Sequence, residues 1–251
     1  MQRLAFVTYR ALAELRAESA RTYLGVAWWV LEPILFMSVF YALFASGLRL
    51  GPDDFMPFVL TGIIPWKWFQ SSVSTSAGAL VKNANLIAEV SFPKHLLVSV
   101  ALVSTTIKYL IVLGLLLLAL QLIGYPAQLA WWTLALIVTT QFTLIFGCSC
   151  IAASILPFFP DLRFIIDNGL LMLFFLSGVF FDISARPQEA QEVLYLNPVA
   201  RLLSEYRAVL LSGQTPNPEQ LSIVAVAGLS LSIIGLGLLK MWDKQYARIS
   251  P

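Results

Sequence analysis

Six apolar runs limit what this chain can fold into, because each has about the 20 residues that a helix needs to cross a bilayer. Their approximate bounds are Val26–Ser46, Phe55–Leu80, Leu96–Ile123, Leu129–Leu156, Phe164–Phe181 and Leu221–Leu239. Of the 251 residues, 59% are hydrophobic and 12% are charged, whereas soluble domains carry about 25% charged residues. The sequence predicts an all-α polytopic membrane protein with six transmembrane helices in a single domain, residues 1–251.

The basic residues between these runs are distributed unequally, and this predicts the orientation. One side receives Arg3, Arg10, Arg16, Arg21, Lys82, Lys94, Arg163, Lys240, Lys244 and Arg248. The other side receives Arg49, Arg186, Arg201 and Arg207. Loops rich in Lys and Arg stay in the cytoplasm. We therefore expect both termini to be cytoplasmic.

Residues 1–24 have the pattern of an amphipathic helix. Arg10, Glu14 and Arg21 fall on one helical face, and Val7, Ala11 and other apolar residues fall on the opposite face. A basic amphipathic helix is typical of a segment that lies in the membrane surface among anionic headgroups. The alternative is a solvated helix that packs on a partner, since the same pattern serves both purposes.

Residues 82–95, called the 82–95 segment below, form a polar island between two apolar runs. Asn83 and Asn85 are residue types that cap helix starts, and Pro93 disfavours helical backbone at Phe92. Between them, one apolar stripe at helical spacing consists of Leu86, Ile87 and Val90. We expect a short cytoplasmic helix with one exposed apolar face.

Residues 182–220 predict two short helices before the last span, at about Pro187–Leu196 and Pro198–Leu211. Asn197 is expected to cap the second helix and Pro198 to open it. Its apolar stripe consists of Val199, Leu202, Leu203, Tyr206 and Val209. The stripe favours a pair of re-entrant helices in the outer leaflet, beside a cavity or a subunit contact. The alternative is an exposed periplasmic hairpin.

Several charges fall within or beside the apolar runs, where each costs on the order of 3 kcal/mol unless it is paired or hydrated. Lys108 has two interpretations. It is a pore-facing cation that meets an anionic substrate, or it has a structural role, in which it pairs with Asp167 or Glu32 or extends to the membrane interface. Lys67, between two tryptophans, fits a cation–π contact or an interface anchor. Glu32 fits either gating or the start of the first span.

The sequence lacks the residue patterns of common enzymes. It has no GxxxxGK[ST] phosphate loop, and its one histidine, His95, has no metal-spaced Cys or carboxylate cluster nearby. We therefore expect a transport subunit that is not an enzyme. An intramembrane enzyme would have to use Asp161, Arg163 and Asp167, and a secondary carrier would show paired inverted repeats, which we do not find.

Three stretches, with the layout of the whole chain, resemble the permease subunits of type-2 ABC exporters of the polysaccharide class. These permeases move O-antigen, capsular polysaccharide or teichoic acid. The stretches are RTYLGVAWWVLEP (Arg21–Pro33), NANLIAEVSFPKH (Asn83–His95) and LNPVARLLSEYR (Leu196–Arg207). The resemblance implies a homodimer in the bacterial inner membrane that exports a lipid-linked polysaccharide. It also implies two copies of a separate ATPase subunit, which would bind ATP and Mg²⁺, and no cofactor in this chain. An exporter of the same class for another substrate is the alternative.

The resemblance further implies four sets of functional residues. The set that couples to the ATPase is Asn83, Asn85, Leu86, Ile87, Val90, Phe92 and Pro93. The set at the cytoplasmic gate and lipid head is Arg21, Tyr23, Trp28, Trp29 and Glu32. Channel candidates are Lys108, Trp66 and Trp68, and the periplasmic gate is Asn197, Pro198, Tyr206 and Arg207.

Overall fold

The computed structural model describes residues 2–20, 23–32, 34–35, 38, 55–90 and 92–249. Within these ranges the chain is helical and contains no strand, which confirms the all-α prediction for this part of the chain. The longer helices are α1 (Gln2–Ala20), α2 (Phe55–Ala77), α5 (His95–Ile123), α6 (Leu134–Ile155), α7 (Leu162–Leu176), α9 (Pro198–Leu210) and α10 (Pro218–Met241). The short ones are α3 (Ala79–Lys82), α4 (Ala84–Glu89), α8 (Gln188–Leu194) and α11 (Asp243–Ile249).

Three helical stretches of the described chain are long and apolar enough to cross a membrane: His95–Ile123, Leu129–Ile155 and Pro218–Met241. Helix α7 has only 15 residues and ends before the predicted Phe181, because the chain turns at Gly178 with a φ of 67°. Helix α2 has 23 residues but is not one of the three apolar stretches. The first predicted run, Val26–Ser46, lies mostly outside the described residues, so the six-span layout remains a prediction.

Helices α6 and α10 approach each other closely through small residues. A Cβ atom at Gly228 would lie 2.8 Å from the Leu144 amide nitrogen, and one at Gly147 would lie 2.7 Å from the Ser232 amide nitrogen. The Ser232 hydroxyl donates hydrogen bonds to Gly228 O (2.7 Å) and, across the interface, to Thr143 O (3.3 Å). Small residues of this kind let helix backbones pack closely in lipid.

Helix α2 occupies the centre of the described fold and contacts α5, α6, α7 and α9. It contains Pro65, which lacks the amide proton that the helix would otherwise use. The Gln141 side chain of α6 donates a 2.9 Å hydrogen bond to Pro65 O, and the hydroxyls of Ser72 and Thr105 lie 2.7 Å apart. Buried polar groups thus connect α2 to both neighbouring long helices.

Helix α1 runs alongside the first half of α5. Val7 and Ala11 are buried against Val100, and the Ser104 hydroxyl donates a 3.3 Å hydrogen bond to Ala11 O. Farther along, Glu18 reaches Lys108. Part of the apolar face that was expected to meet lipid is therefore covered by α5 of the same chain, whereas Leu12 remains 47% exposed.

The α6–α10 interface predicts that alanine substitutions at two glycines of α10 have different effects on the stability of the fold. Replacing Gly228→Ala forces a backbone shift and should destabilise the fold by about 1–3 kcal/mol. Gly237→Ala meets no atom within 4 Å and should be neutral or stabilise by up to about 1 kcal/mol, since alanine favours helix. Thermal unfolding of the purified variants measures both, and equal effects would contradict this description of the interface.

Candidate functional site

The 82–95 segment contains α4, which is shorter than the predicted helix. Asn83 occupies the position before α4 but makes no side-chain capping bond to it. Its side-chain amide instead donates a 2.8 Å bond to Ala79 O, and its Oδ1 accepts a hydrogen bond from Arg10 of α1. Asn83 thus connects α1 to the segment, and the predicted cap is wrong at this residue.

The predicted apolar stripe of this segment is not exposed as one face. Ile87 is only 4% exposed and belongs to the main core, while Leu86 is partly buried against that core. Val90 is 49% exposed but lies beyond α4 in extended backbone. The exposed surface at this end of the molecule therefore combines Val90 with Val81 and Asn85. Ile87 anchors the segment to the core.

The C-terminal helix α11 packs against α4 and helps to hold the segment. Asp243 forms a 3.1 Å ion pair with Lys94, whose side chain is only 5% exposed. The Lys94 ammonium also lies 5.8 Å from the centre of the Phe92 ring, and Phe92 and the next residue, Pro93, are half-buried. Sequence reasoning missed Asp243, because its partner is distant along the chain.

A second contact of α11 reaches the end of α6. The Tyr246 hydroxyl donates a 3.0 Å hydrogen bond to Ser154 O, and the Phe158 ring lies between those of Trp242 and Tyr246, at 5.1 and 5.4 Å. Burial raises the pKa of the Tyr246 phenol, and the nearby Asp243 carboxylate raises it further. The phenol therefore remains a hydrogen-bond donor at physiological pH.

A cavity of about 700 Å³, called the aromatic cavity below, lies between the N-terminal stretch, α2 and α5. Its lining residues include Trp28, Trp29, Lys67, Trp68, Lys108 and Tyr109. Trp68 stacks on Tyr109, with ring centres 4.1 Å apart and planes 6° from parallel. The predicted gate residues Trp28, Trp29 and Glu32 meet the channel candidates Trp68 and Lys108 here. Trp66 does not line this cavity but packs in the core against Phe69 and Phe174.

The charges at this cavity have partners that the sequence did not predict. Lys108 Nζ lies 2.6 Å from both carboxylate oxygens of Glu18, and not beside Asp167 or Glu32. Glu32 instead forms a 2.8 Å ion pair with Lys67. Of the other predicted gate residues, Tyr23 is fully exposed, and Arg21 lies outside the described residues.

Residues 196–207 fold as predicted at the start of α9. Asn197 Oδ1 accepts a 2.9 Å bond from the Val199 amide, and Pro198 opens the helix, which confirms the predicted cap. The apolar stripe of α9, however, is buried inside the protein, so it does not by itself require contact with lipid.

Tyr206 and Arg207, which were predicted to form a gate, make internal contacts. The Tyr206 hydroxyl accepts a 2.9 Å bond from Tyr109. The Arg207 guanidinium lies 3.6 Å from the Phe58 ring centre and donates a 2.9 Å bond to Val179 O. Gly62 leaves room for it, since a Cβ there would lie 2.5 Å from Arg207 Nη2. Tyr206 thereby connects α9 to Tyr109 of α5, and Arg207 connects α9 to Phe58 of α2.

The cluster considered for an enzyme is occupied by structural contacts. Arg163 Nε donates a 3.0 Å bond to Asp167, and its Nη1 and Nη2 donate to the backbone and hydroxyl oxygens of Ser74. Asp161 is exposed at the start of α7. The Arg163 guanidinium is therefore paired, and its hydrogen bonds join α7 to α2. Among the described residues, no group of three metal-binding side chains occurs.

The fold and site define a multi-pass helical membrane protein with an aromatic cavity and a polar segment that contacts α1 and α11. Residues 12–211 match the family described as ABC-2 type transporter, and the chain belongs to that family. It is similar to the O-antigen export system permease protein RfbA of Klebsiella pneumoniae, with 26% identity over 94% of this chain and 91% of the relative. The protein of the same name from Myxococcus xanthus is 30% identical over 87% and 85%. The polysialic acid transport protein KpsM of Escherichia coli is 27% identical over 90% and 89%.

The contact between α11 and the 82–95 segment gives a second prediction. Asp243→Asn removes the carboxylate that pairs with the nearly buried ammonium of Lys94, so residues 84–94 should become more mobile. If the lost contact is worth about 1 kcal/mol, their amide hydrogens should exchange at least about five times faster. Glu89→Gln alters an exposed carboxylate of the same segment and serves as the control. Unchanged exchange in the Asp243→Asn variant would show that α11 does not hold the segment.

Proposed function

We propose that this chain is the transmembrane subunit of an ATP-driven exporter that moves a lipid-linked polysaccharide, of the O-antigen or capsule type, across the bacterial inner membrane. The observation that carries the proposal is the similarity over nearly the whole length to permeases and a transport protein named for polysaccharide export. We propose that a separate subunit supplies ATP hydrolysis, in keeping with this sequence, in which no phosphate loop occurs.

The proposed arrangement is a homodimer of six-span subunits with both termini in the cytoplasm. The distribution of Lys and Arg supports this orientation. The pair α8 and α9 is proposed to enter the outer leaflet from the periplasmic side. Its support is that α9 is covered by protein, because irregular backbone at membrane depth must be covered by protein or water.

The aromatic cavity is proposed to open onto the polymer path. Sugar rings carry apolar faces that pack on aromatic side chains, and the stacked pair of Trp68 and Tyr109 offers such a wall. Tyr109 is fixed from behind by its bond to Tyr206. A rigid wall of this kind favours passage of a repetitive chain, because the side chains need not be reordered at each step.

The cytoplasmic docking surface is proposed to include the exposed residues Val81, Asn85 and Val90, supported from within by Ile87. Helices α1 and α11 complete it, since both contact the 82–95 segment. This surface differs from a single helical stripe. A partner cleft would meet one short helix flanked by two others, and the interior contacts would transmit its movement to α5 and α6.

An ATPase capture experiment tests this surface. The double variant Val81→Asp with Val90→Asp places two charges on exposed apolar positions and should reduce recovery of the co-expressed ATPase subunit at least about tenfold, as burying unpaired charges in an interface is costly. Export, read as surface polysaccharide in a strain lacking the native permease, should fall in parallel.

The matched control is Val193→Asp with Leu196→Asp, a pair of exposed apolar residues around α8, on the proposed periplasmic side. It should leave ATPase capture unchanged. Full capture by the Val81/Val90 variant would refute the docking surface, and failure of the unmodified chain to restore any polysaccharide would refute the proposed function.

A further inference from the structure

Two lysines of the aromatic cavity are held by carboxylates from one continuous part of the chain. Lys67 projects from α2 and Lys108 from α5, and both line the cavity. Their partners are Glu32, at 2.8 Å, and Glu18, at 2.6 Å. Both carboxylates belong to the N-terminal stretch that forms one side of the cavity.

These ion pairs are suited to exchange. The lysine side chains are 27% and 23% exposed, and the two glutamates are each more than half exposed. Partly exposed pairs of this kind are weak, because water screens the charges. A phosphate or pyrophosphate offers more negative charge and more acceptor oxygens than a carboxylate, and therefore binds ammonium groups more strongly.

The surroundings of the lysines fit a ligand that is anionic at one end and apolar elsewhere. Lys108 Nζ lies 5.4 Å from the centre of the Trp29 ring, and Trp28 and Trp68 line the same cavity. A volume of about 700 Å³ falls within the usual range of small-molecule sites. The ammonium groups can receive the anion while the indole rings contact a lipid chain or a sugar.

We propose that Lys67 and Lys108 form an exchangeable anion site, in which the phosphate or pyrophosphate head of a lipid-linked glycan replaces Glu32 and Glu18. This inference rests on the proposed function. Binding of the anion frees the end of α1 from α5, while Arg10 and Glu14, two turns and one turn before Glu18, still contact Asn83 and Lys82 of the 82–95 segment. The site therefore reports its occupancy to the cytoplasmic surface through α1.

The test is a direct binding measurement on the full chain in lipid nanodiscs, without ATPase or polymer, using farnesyl pyrophosphate as the probe. Lys67→Gln and Lys108→Gln should each weaken binding about tenfold, since each removes a charge-assisted contact. Glu18→Gln and Glu32→Gln should each tighten binding about two- to fivefold, because each removes an internal competitor of the probe. If the ion pairs were purely structural, substituting the lysine or the glutamate of a pair would change the affinity for the probe in the same direction.

The controls are Lys240→Gln and Glu219→Gln, which alter an exposed lysine and an exposed glutamate of α10, outside the aromatic cavity. Neither control substitution should change the affinity for the probe. Amide exchange in residues 14–20 should rise when farnesyl pyrophosphate binds the unmodified chain. Weaker binding in the glutamate variants, or lysine variants that bind as the unmodified chain does, would overturn the proposal.

Competition identifies the source of the anion. Displacement of the probe by inorganic pyrophosphate supports recognition of the anion itself, and displacement by prenyl pyrophosphates alone supports recognition of a lipid head. Displacement by farnesol at equal concentration would overturn the proposal, because farnesol carries no charge. Since neither ATPase nor polymer is present, loss of binding here and loss of polysaccharide export are separate results, so the site and the proposed function can fail independently.

Discussion

Close backbone approach is the interaction on which the described helices depend. Between apolar helices in lipid there is no hydrophobic driving force, so association relies on van der Waals packing and on hydrogen bonds between helices. Gly147, Gly228 and Gly235 bring α6 and α10 together, and Gln141 of α6 then bonds to the proline carbonyl of α2. Through this chain of contacts the position of α10 sets the position of the central helix, and hence of the aromatic cavity wall on α2.

Helix α2 makes two kinds of polar contact, one near its start and one near its middle. Near Phe58, the Arg207 guanidinium is enclosed by an aromatic ring and backbone oxygens, which gives a rigid connection between α2 and α9. Near Lys67 the ion pair is partly exposed, and its partner lies in a stretch with few buried residues. The same helix is therefore held firmly near its start and makes a partly exposed ionic contact near its middle.

The sequence was informative where the determinants are local. Asn197 and Pro198 were predicted to start a helix, and they do so because a cap and its first turn involve adjacent residues. Long apolar runs likewise predicted α5, α6 and α10. The partner of Lys108 was not predictable, since Glu18 lies 90 positions away and only the packing of α1 on α5 brings it near. The burial of Ile87 was not predictable for a similar reason, because it depends on contacts with residues that are distant along the chain.

The pairing of α6 with α10 also has a consequence for how the protein is made. Helix α10 is synthesised well after α6, and its glycine-bearing face fits that earlier helix. Until α10 has entered the bilayer, α6 presents Gly147 and its neighbours to lipid without their complementary surface, and α11 has not yet reached the 82–95 segment. The contacts of α11 with the 82–95 segment therefore form only after both long helices, α6 and α10, have been synthesised.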